Sequence, residues 1–128
     1  DLGELCVREN VGLLAYSPLA TGLLTGKYRG GVVPAGSRMS INKTLGDRVN
    51  ERSNAAVEAY ARIAERHGLD LAQMSLAFCI ARPFMGSVIF GATSSGQLEH
   101  ILAGQDLKLT GEQLAEIDAA YRAHPMPF

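Results

Sequence analysis

Val11-Gly12-Leu13-Leu14-Ala15-Tyr16-Ser17-Pro18 is the stretch on which the fold turns. From Val11 to Tyr16 it is short and nearly all apolar, without the polar alternation of a strand that has one wet face. Such a run is expected to form a strand buried on both faces, as in a parallel sheet covered by helices. Ser17-Pro18 ends it, because proline has no N–H to give to a sheet ladder. Ser87-Val88-Ile89-Phe90 has the same character and is expected to be a second buried strand.

The flanking segments read as helices. Residues 1–9 look like the end of one, with Leu2, Leu5 and Cys6 at helical spacing and Asn10 breaking the pattern. Residues 53–67 carry Val57, Tyr60, Ile63 and Ala64 along one stripe and stop at Gly68. Asp70 and Gln73 have the spacing of a capping box that opens a second helix. Leu71, Met74, Leu76, Ala77, Phe78 and Ile80 make that helix apolar nearly all round, so burial is expected, and Arg82-Pro83 ends it. A further helix runs from about Gln97 to Ala103. The last begins at Thr110, boxed by Gln113, with Leu114, Ile117 and Tyr121 facing inward. The tail His124–Phe128, with Pro125 and Pro127, is expected to be extended.

Between Leu19 and about Arg52 the chain is glycine-rich and mostly irregular, with a helical turn plausible at Leu23–Tyr28. So long a loop in a compact domain is usually functional or mobile. It carries Lys27, Arg29, Arg38, Lys43, Arg48 and Arg52 against Asp47 and Glu51. A solvated face is one reading of this positive stretch; an anionic ligand is the other.

Strands separated by helices imply crossovers and a parallel sheet. Two strands apolar along their length need neighbours on both edges, and a closed barrel takes about eight strands and roughly 250 residues. The expected fold class is therefore α/β: the C-terminal part of a (β/α)8 TIM barrel, its last two strands with their helices. Residues 1–128 are then one partial domain. Asp1 in place of Met is expected from residues upstream that complete the same barrel, a processed mature form being the alternative.

Composition narrows the function classes. At 47% hydrophobic, 20% charged and net charge −1 the chain is of ordinary globular type, and neither a nucleic-acid nor a membrane-surface partner is expected. No apolar run approaches the roughly 20 residues of a membrane span, and no signal-peptide pattern is found. Cys6 and Cys79 lie in apolar helical patterns and read as buried free thiols of a reducing compartment, which points to the cytoplasm. No zinc-type spacing is present, so no metal is expected.

The informative segments are the turns that follow the two strands, because the C-terminal ends of parallel barrel strands share the ligand-binding face. Gly91-Ala92-Thr93-Ser94-Ser95-Gly96-Gln97 runs directly into a helix N-terminus, where free N–H groups and the helix dipole favour a phosphate. Gly91 lets an anion approach the backbone, and the hydroxyls add donors. Ser94 and Gln97 equally fit a capping box with no ligand.

Ala15-Tyr16-Ser17-Pro18-Leu19-Ala20-Thr21-Gly22-Leu23-Leu24-Thr25-Gly26-Lys27-Tyr28 resembles the seventh-strand signature of the aldo-keto reductases, notably bacterial reductases and potassium-channel β-subunits. Pro34, Gly36 and Arg38 follow at about the family's spacing, and Ile89-Phe90-Gly91-Ala92-Thr93 with Gln97-Leu98 resembles the eighth strand and its adenosine-phosphate turn. Leu109-Thr110 through Ile117-Asp118 is similar to the family's C-terminal helix. The resemblance implies NADP as cofactor and hydride transfer to an aldehyde or ketone substrate. It assigns Tyr16 to the cofactor wall, Ser17, Pro18, Leu19, Ala20 and Thr21 to the pyrophosphate and nicotinamide-ribose stretch, and Lys27 and Arg38 to the phosphates. Gly91, Thr93 and Gln97 fall at the 2′-phosphate and adenine end.

Two departures stand out. The family usually places an acidic residue and an asparagine at the adenine edge, where this chain has His100 and Ile101, which bears on the preference for NADP over NAD. The family's catalytic tetrad lies on earlier strands, so no catalytic residue is assigned here and the 128 residues alone are expected to be inactive. His67, His124, Glu116 and Asp118 all read as helix-end or solvated groups. A nucleotide-sensing, β-subunit-like binding module is the alternative function, and a poorly soluble truncated product with open sheet edges is a third reading.

Overall fold

The computed structural model describes residues 1–127. In chain order it contains α1 (Leu2–Arg8), β1 (Leu13–Ala15), 3-10 turns at Ala20–Thr25 and Arg29–Gly31, α2 (Arg38–Ile41), α3 (Glu51–Arg66), α4 (Leu71–Ile80), β2 (Met85–Val88), α5 (Ser95–Leu102) and α6 (Gly111–Ala123). β1 and β2 pair in parallel, Leu13 with Met85 and Ala15 with Val88, and α3 and α4 form the crossover. The expected parallel pairing is therefore present. β2 begins at Met85 and ends at Val88, earlier at both ends than the apolar run Ser87–Phe90.

The strands approach closely at a glycine pair. A Cβ on Gly12 would lie 2.8 Å from the Gly86 Cα, and one on Gly86 would lie 3.0 Å from the Gly12 Cα. Side chains at either position would force the strands apart.

Burial on both strand faces is not found. Leu14 is 58% exposed and Ile89 60% exposed. The sheet has two strands, so each has a single neighbour, and α4 covers one face of β2. An apolar run records what a residue favours, and here the second layer is absent among the described residues.

The main core gathers Leu23, Val57, Ile63, Leu71, Met74 and Ile117 from the first 3-10 turn and from α3, α4 and α6. α3 starts earlier than its apolar stripe because Asn50 and Ser53 form a reciprocal capping box. α6 carries the expected box between Thr110 and Gln113. The box at α4 is only half made: Asp70 accepts from the Gln73 N–H at 2.9 Å, while the Gln73 side chain donates to the His100 carbonyl at 2.7 Å and so ties α5 to α4. Tyr121 departs from the expected inner stripe of α6; it is exposed at the mouth of a groove of about 560 Å³ that also reaches Tyr60, Phe78, Cys79 and Arg82. Cys6 is buried, whereas Cys79 is half-buried, and burial pushes its thiol above the ordinary value. His67 caps the end of α3 and meets Glu116 of α6 at 3.2 Å. The tail is not simply extended: Met126 has a left-handed φ of 44°, and Arg52 donates to the Pro125 and Met126 carbonyls at 3.1 Å. Phe128 lies outside the described residues.

Arg29 fastens the long loop to α3. Its guanidinium donates to both carboxylate oxygens of Glu58 at 2.9 Å and to Glu65 at 2.6 Å. The hydrogen bond from Arg29 holds the Glu58 carboxyl below its ordinary value. A depressed carboxylate contributes stability above the ordinary value, about 4.3, and that contribution is lost as the pH falls through the folded-state value. Glu58→Gln is therefore expected to lower the melting temperature slightly at neutral pH, as for other half-exposed pairs. The melting curves of variant and parent should converge in acid; a gap that widens in acid would contradict the clamp.

Candidate cofactor site

The parallel pairing of β1 and β2 delivers both following turns to the same end of the sheet. In the first turn the Ser17 hydroxyl accepts the Thr21 N–H at 3.3 Å, and Thr21 donates its hydroxyl to the Ala20 carbonyl at 2.6 Å. Ala20, Thr21 and Gly22 run through left-handed φ values of 47°, 58° and 102°. For the two non-glycine residues such a backbone costs of order 1–3 kcal/mol each and persists only where its surroundings enforce it. Leu19 and Ala20 supply that enforcement. Leu19 clusters with Ala72 and Leu76 of α4, and Phe90 before the second turn and Ile101 on α5 pack against that cluster, while Ala20 joins the main core. Their side chains thus face inward, which leaves their backbone for any ligand. Tyr16 is 84% exposed, and Pro18 is half-buried.

The second turn is open. Nothing lies within 4 Å of a Cβ built on Gly91, so the protein itself does not demand glycine there. Gln97 accepts from the Thr93 N–H at 2.9 Å and from its hydroxyl at 3.1 Å, and Ser94 caps α5 by accepting from the Gln97 N–H at 3.3 Å. The Gln97 side chain thus bonds one residue before the cap, which departs from a capping box and joins Thr93 and Gln97 into one polar pair.

The positive stretch separates into committed and uncommitted charges. Arg29 is occupied by Glu58 and Glu65, Arg52 by the tail carbonyls, and Arg48 donates to the Leu45 carbonyl at 3.4 Å. Lys27 and Arg38 make no ion pair among the described residues. The Lys27 ammonium folds back over the first turn, 3.8 Å from where a Gly22 Cβ would stand.

Sequence reasoning misses two features. Tyr28, read as part of a helical turn, is buried and holds both Lys27 and the start of α2. His100 meets Asp70 at 3.1 Å, and Ile101 packs in the second core cluster, so the residues that depart from the family pattern serve helix contacts. The His100 and Ile101 contacts join residues distant in the chain, and the reach of the Tyr28 hydroxyl to Met39 depends on how the loop folds back, so none has a local sequence signal.

The sequence profile of the Aldo/keto reductase family matches residues 1–122. The chain belongs to the aldo/keto reductase family. The chain is 44% identical to Protein tas of Escherichia coli over 126 residues, which covers 98% of this chain and 36% of that protein. It is 34% identical to a probable voltage-gated potassium channel subunit beta of Arabidopsis thaliana, covering 94% of this chain and 38% of that protein. It therefore spans well under half the length of these curated relatives. A glycerol dehydrogenase structure from Gluconobacter oxydans superposes with a TM-score of 0.74 at 24% identity, covering all of this chain and 39% of that one. That likeness shows that this partial α/β fold, with its two-stranded parallel sheet, is shared with part of that structure. The family generally uses a nicotinamide cofactor. Among the described residues no helix is long and apolar enough to cross a membrane, and no cluster of His, Cys, Asp and Glu is arranged to hold a metal ion.

Proposed function

We propose that this chain is the cofactor-holding C-terminal portion of a cytoplasmic aldo-keto reductase that uses NADP(H) to reduce aldehydes and ketones to alcohols. The observation that carries the reading is the uncommitted Lys27 ammonium lying against a turn that shares its sheet end with the open Gly91–Gln97 turn. The donor set fits a dinucleotide phosphate. Lys27 offers a point charge and Arg38 a planar fork, while Ser17, Thr21, Thr93 and Gln97 offer neutral polar groups.

When bound, the nicotinamide supplies a hydride for the substrate carbonyl carbon. The chain's own residues bind and orient: the Ser17–Thr21 turn and Lys27 hold the pyrophosphate stretch, Thr93, Gln97 and Arg38 hold the adenosine end, and exposed Tyr16 walls the ring. A cofactor of this kind carries the difficult chemistry while the protein places it. The rest of the barrel is expected to supply the proton donor and to cover the exposed apolar faces of β1 and α1.

The test is absorbance loss at the NADPH band with a simple aldehyde. The full-length protein is expected to turn over and the 128-residue chain alone to show none. Turnover by the chain alone would contradict the division of labour. Gly91→Ala is expected to leave folding stability within about 0.5 kcal/mol yet weaken NADPH several-fold, because its methyl fills the space a phosphate needs. Unchanged affinity would remove Gly91 from the site. Similarity to the potassium channel subunit beta favours one second reading, a nucleotide-sensing subunit, which would bind NADPH with little turnover.

A further inference from the structure

We infer that Tyr28 is a positioning residue that holds Lys27 and Arg38, the two cations of the proposed cofactor site, in one arrangement; the inference rests on that site assignment. Tyr28 is only 6% exposed and is rooted in the main core. Its ring lies 5.1 Å from the Lys27 ammonium and 3.5 Å from where a Gly22 Cβ would stand, so ring, cation and first turn meet at one point. The ring face attracts the ammonium electrostatically.

The other end of the same side chain governs Arg38. The Tyr28 hydroxyl accepts the Met39 N–H at 3.3 Å, and the Ser37 hydroxyl accepts the Ser40 N–H at 3.4 Å. Met39 and Ser40 belong to the opening turn of α2, whose N–H groups have no partner within the helix. α2 has four residues, too few to persist as an isolated helix, and its backbone closes through the Ser40 N–H to the Ser37 carbonyl at 3.0 Å and the Asn42 N–H to the Arg38 carbonyl at 2.8 Å. Arg38 is its first residue and makes no ion pair among the described residues, so the direction in which it leaves the backbone depends on these two caps together with those backbone bonds. One buried phenol therefore places Lys27 with its face and Arg38 with its hydroxyl.

Tyr28→Phe separates the two arms, because it keeps the ring under Lys27 and deletes only the acceptor for Met39. NADPH and NADH dissociation constants are measured for the full-length protein, Tyr28→Phe, Arg38→Ala and the double variant. The expected result is a roughly three- to tenfold loss for NADPH in Tyr28→Phe, the range of one hydrogen bond. NADH affinity and melting temperature should stay near the parent's, which a general structural defect would not allow. The double variant should bind NADPH no more weakly than Arg38→Ala. Unchanged NADPH affinity, or equal loss for both cofactors, overturns the inference. If Arg38→Ala itself leaves NADPH unchanged, the site assignment fails first and the role of Tyr28 falls with it.

Discussion

Arg38→Ala is expected to weaken NADPH binding by roughly ten- to a hundredfold while leaving NADH nearly unchanged, as measured by titrating the full-length protein with each cofactor. The magnitude follows from one charge-assisted hydrogen-bonded contact, on the order of 1.5–3 kcal/mol. The side chain is exposed and makes no ion pair among the described residues, so its removal strands no buried partner. Loss of fold is therefore not a competing explanation, and NADH, which lacks the extra phosphate, is the internal control. Added salt should shrink the difference between parent and variant, because the contact is solvent-facing. Equal weakening of both cofactors would remove Arg38 from the 2′-phosphate role.

The largest expected effect on stability is at Met74. It is 2% exposed and sits where α3, α4 and the first 3-10 turn meet. Met74→Ala deletes a buried chain and leaves a cavity, which costs about 2–5 kcal/mol. Domains have a margin of about 5–15 kcal/mol, and a chain whose sheet has open faces cannot spare much of it. Urea unfolding should show the midpoint falling with little change in slope. A loss under about 1 kcal/mol, below the range for such truncations, would mean that the α3–α4 contact is looser than described.

Local signals carry the fold a long way. The apolar runs at Leu13 and Val88, the Thr110–Gln113 box and the stop at Gly68 each act over a few residues, and each is legible in the sequence. Ile101 shows the limit. Its place at the adenine edge reads as bearing on cofactor preference, yet its packing against the Leu19–Ala72–Leu76 cluster depends on how α5 docks. Gln73 has the spacing of a cap, but spacing does not record the His100 carbonyl that competes for its amide. A run of basic residues likewise hides which of them will find carboxylates on α3; Arg29 does, and Lys27 two positions earlier does not. Candidate site residues are thus readable by type, whereas their commitments emerge only from packing.

The central claim is that the turns after β1 and β2 grip the same molecule. Amide hydrogen exchange of the full-length protein, with and without NADPH, tests it directly. Slowed exchange in both 17–22 and 91–97, appearing together at one cofactor concentration, is the expected result. Protection of one turn without the other, or of neither, would contradict it.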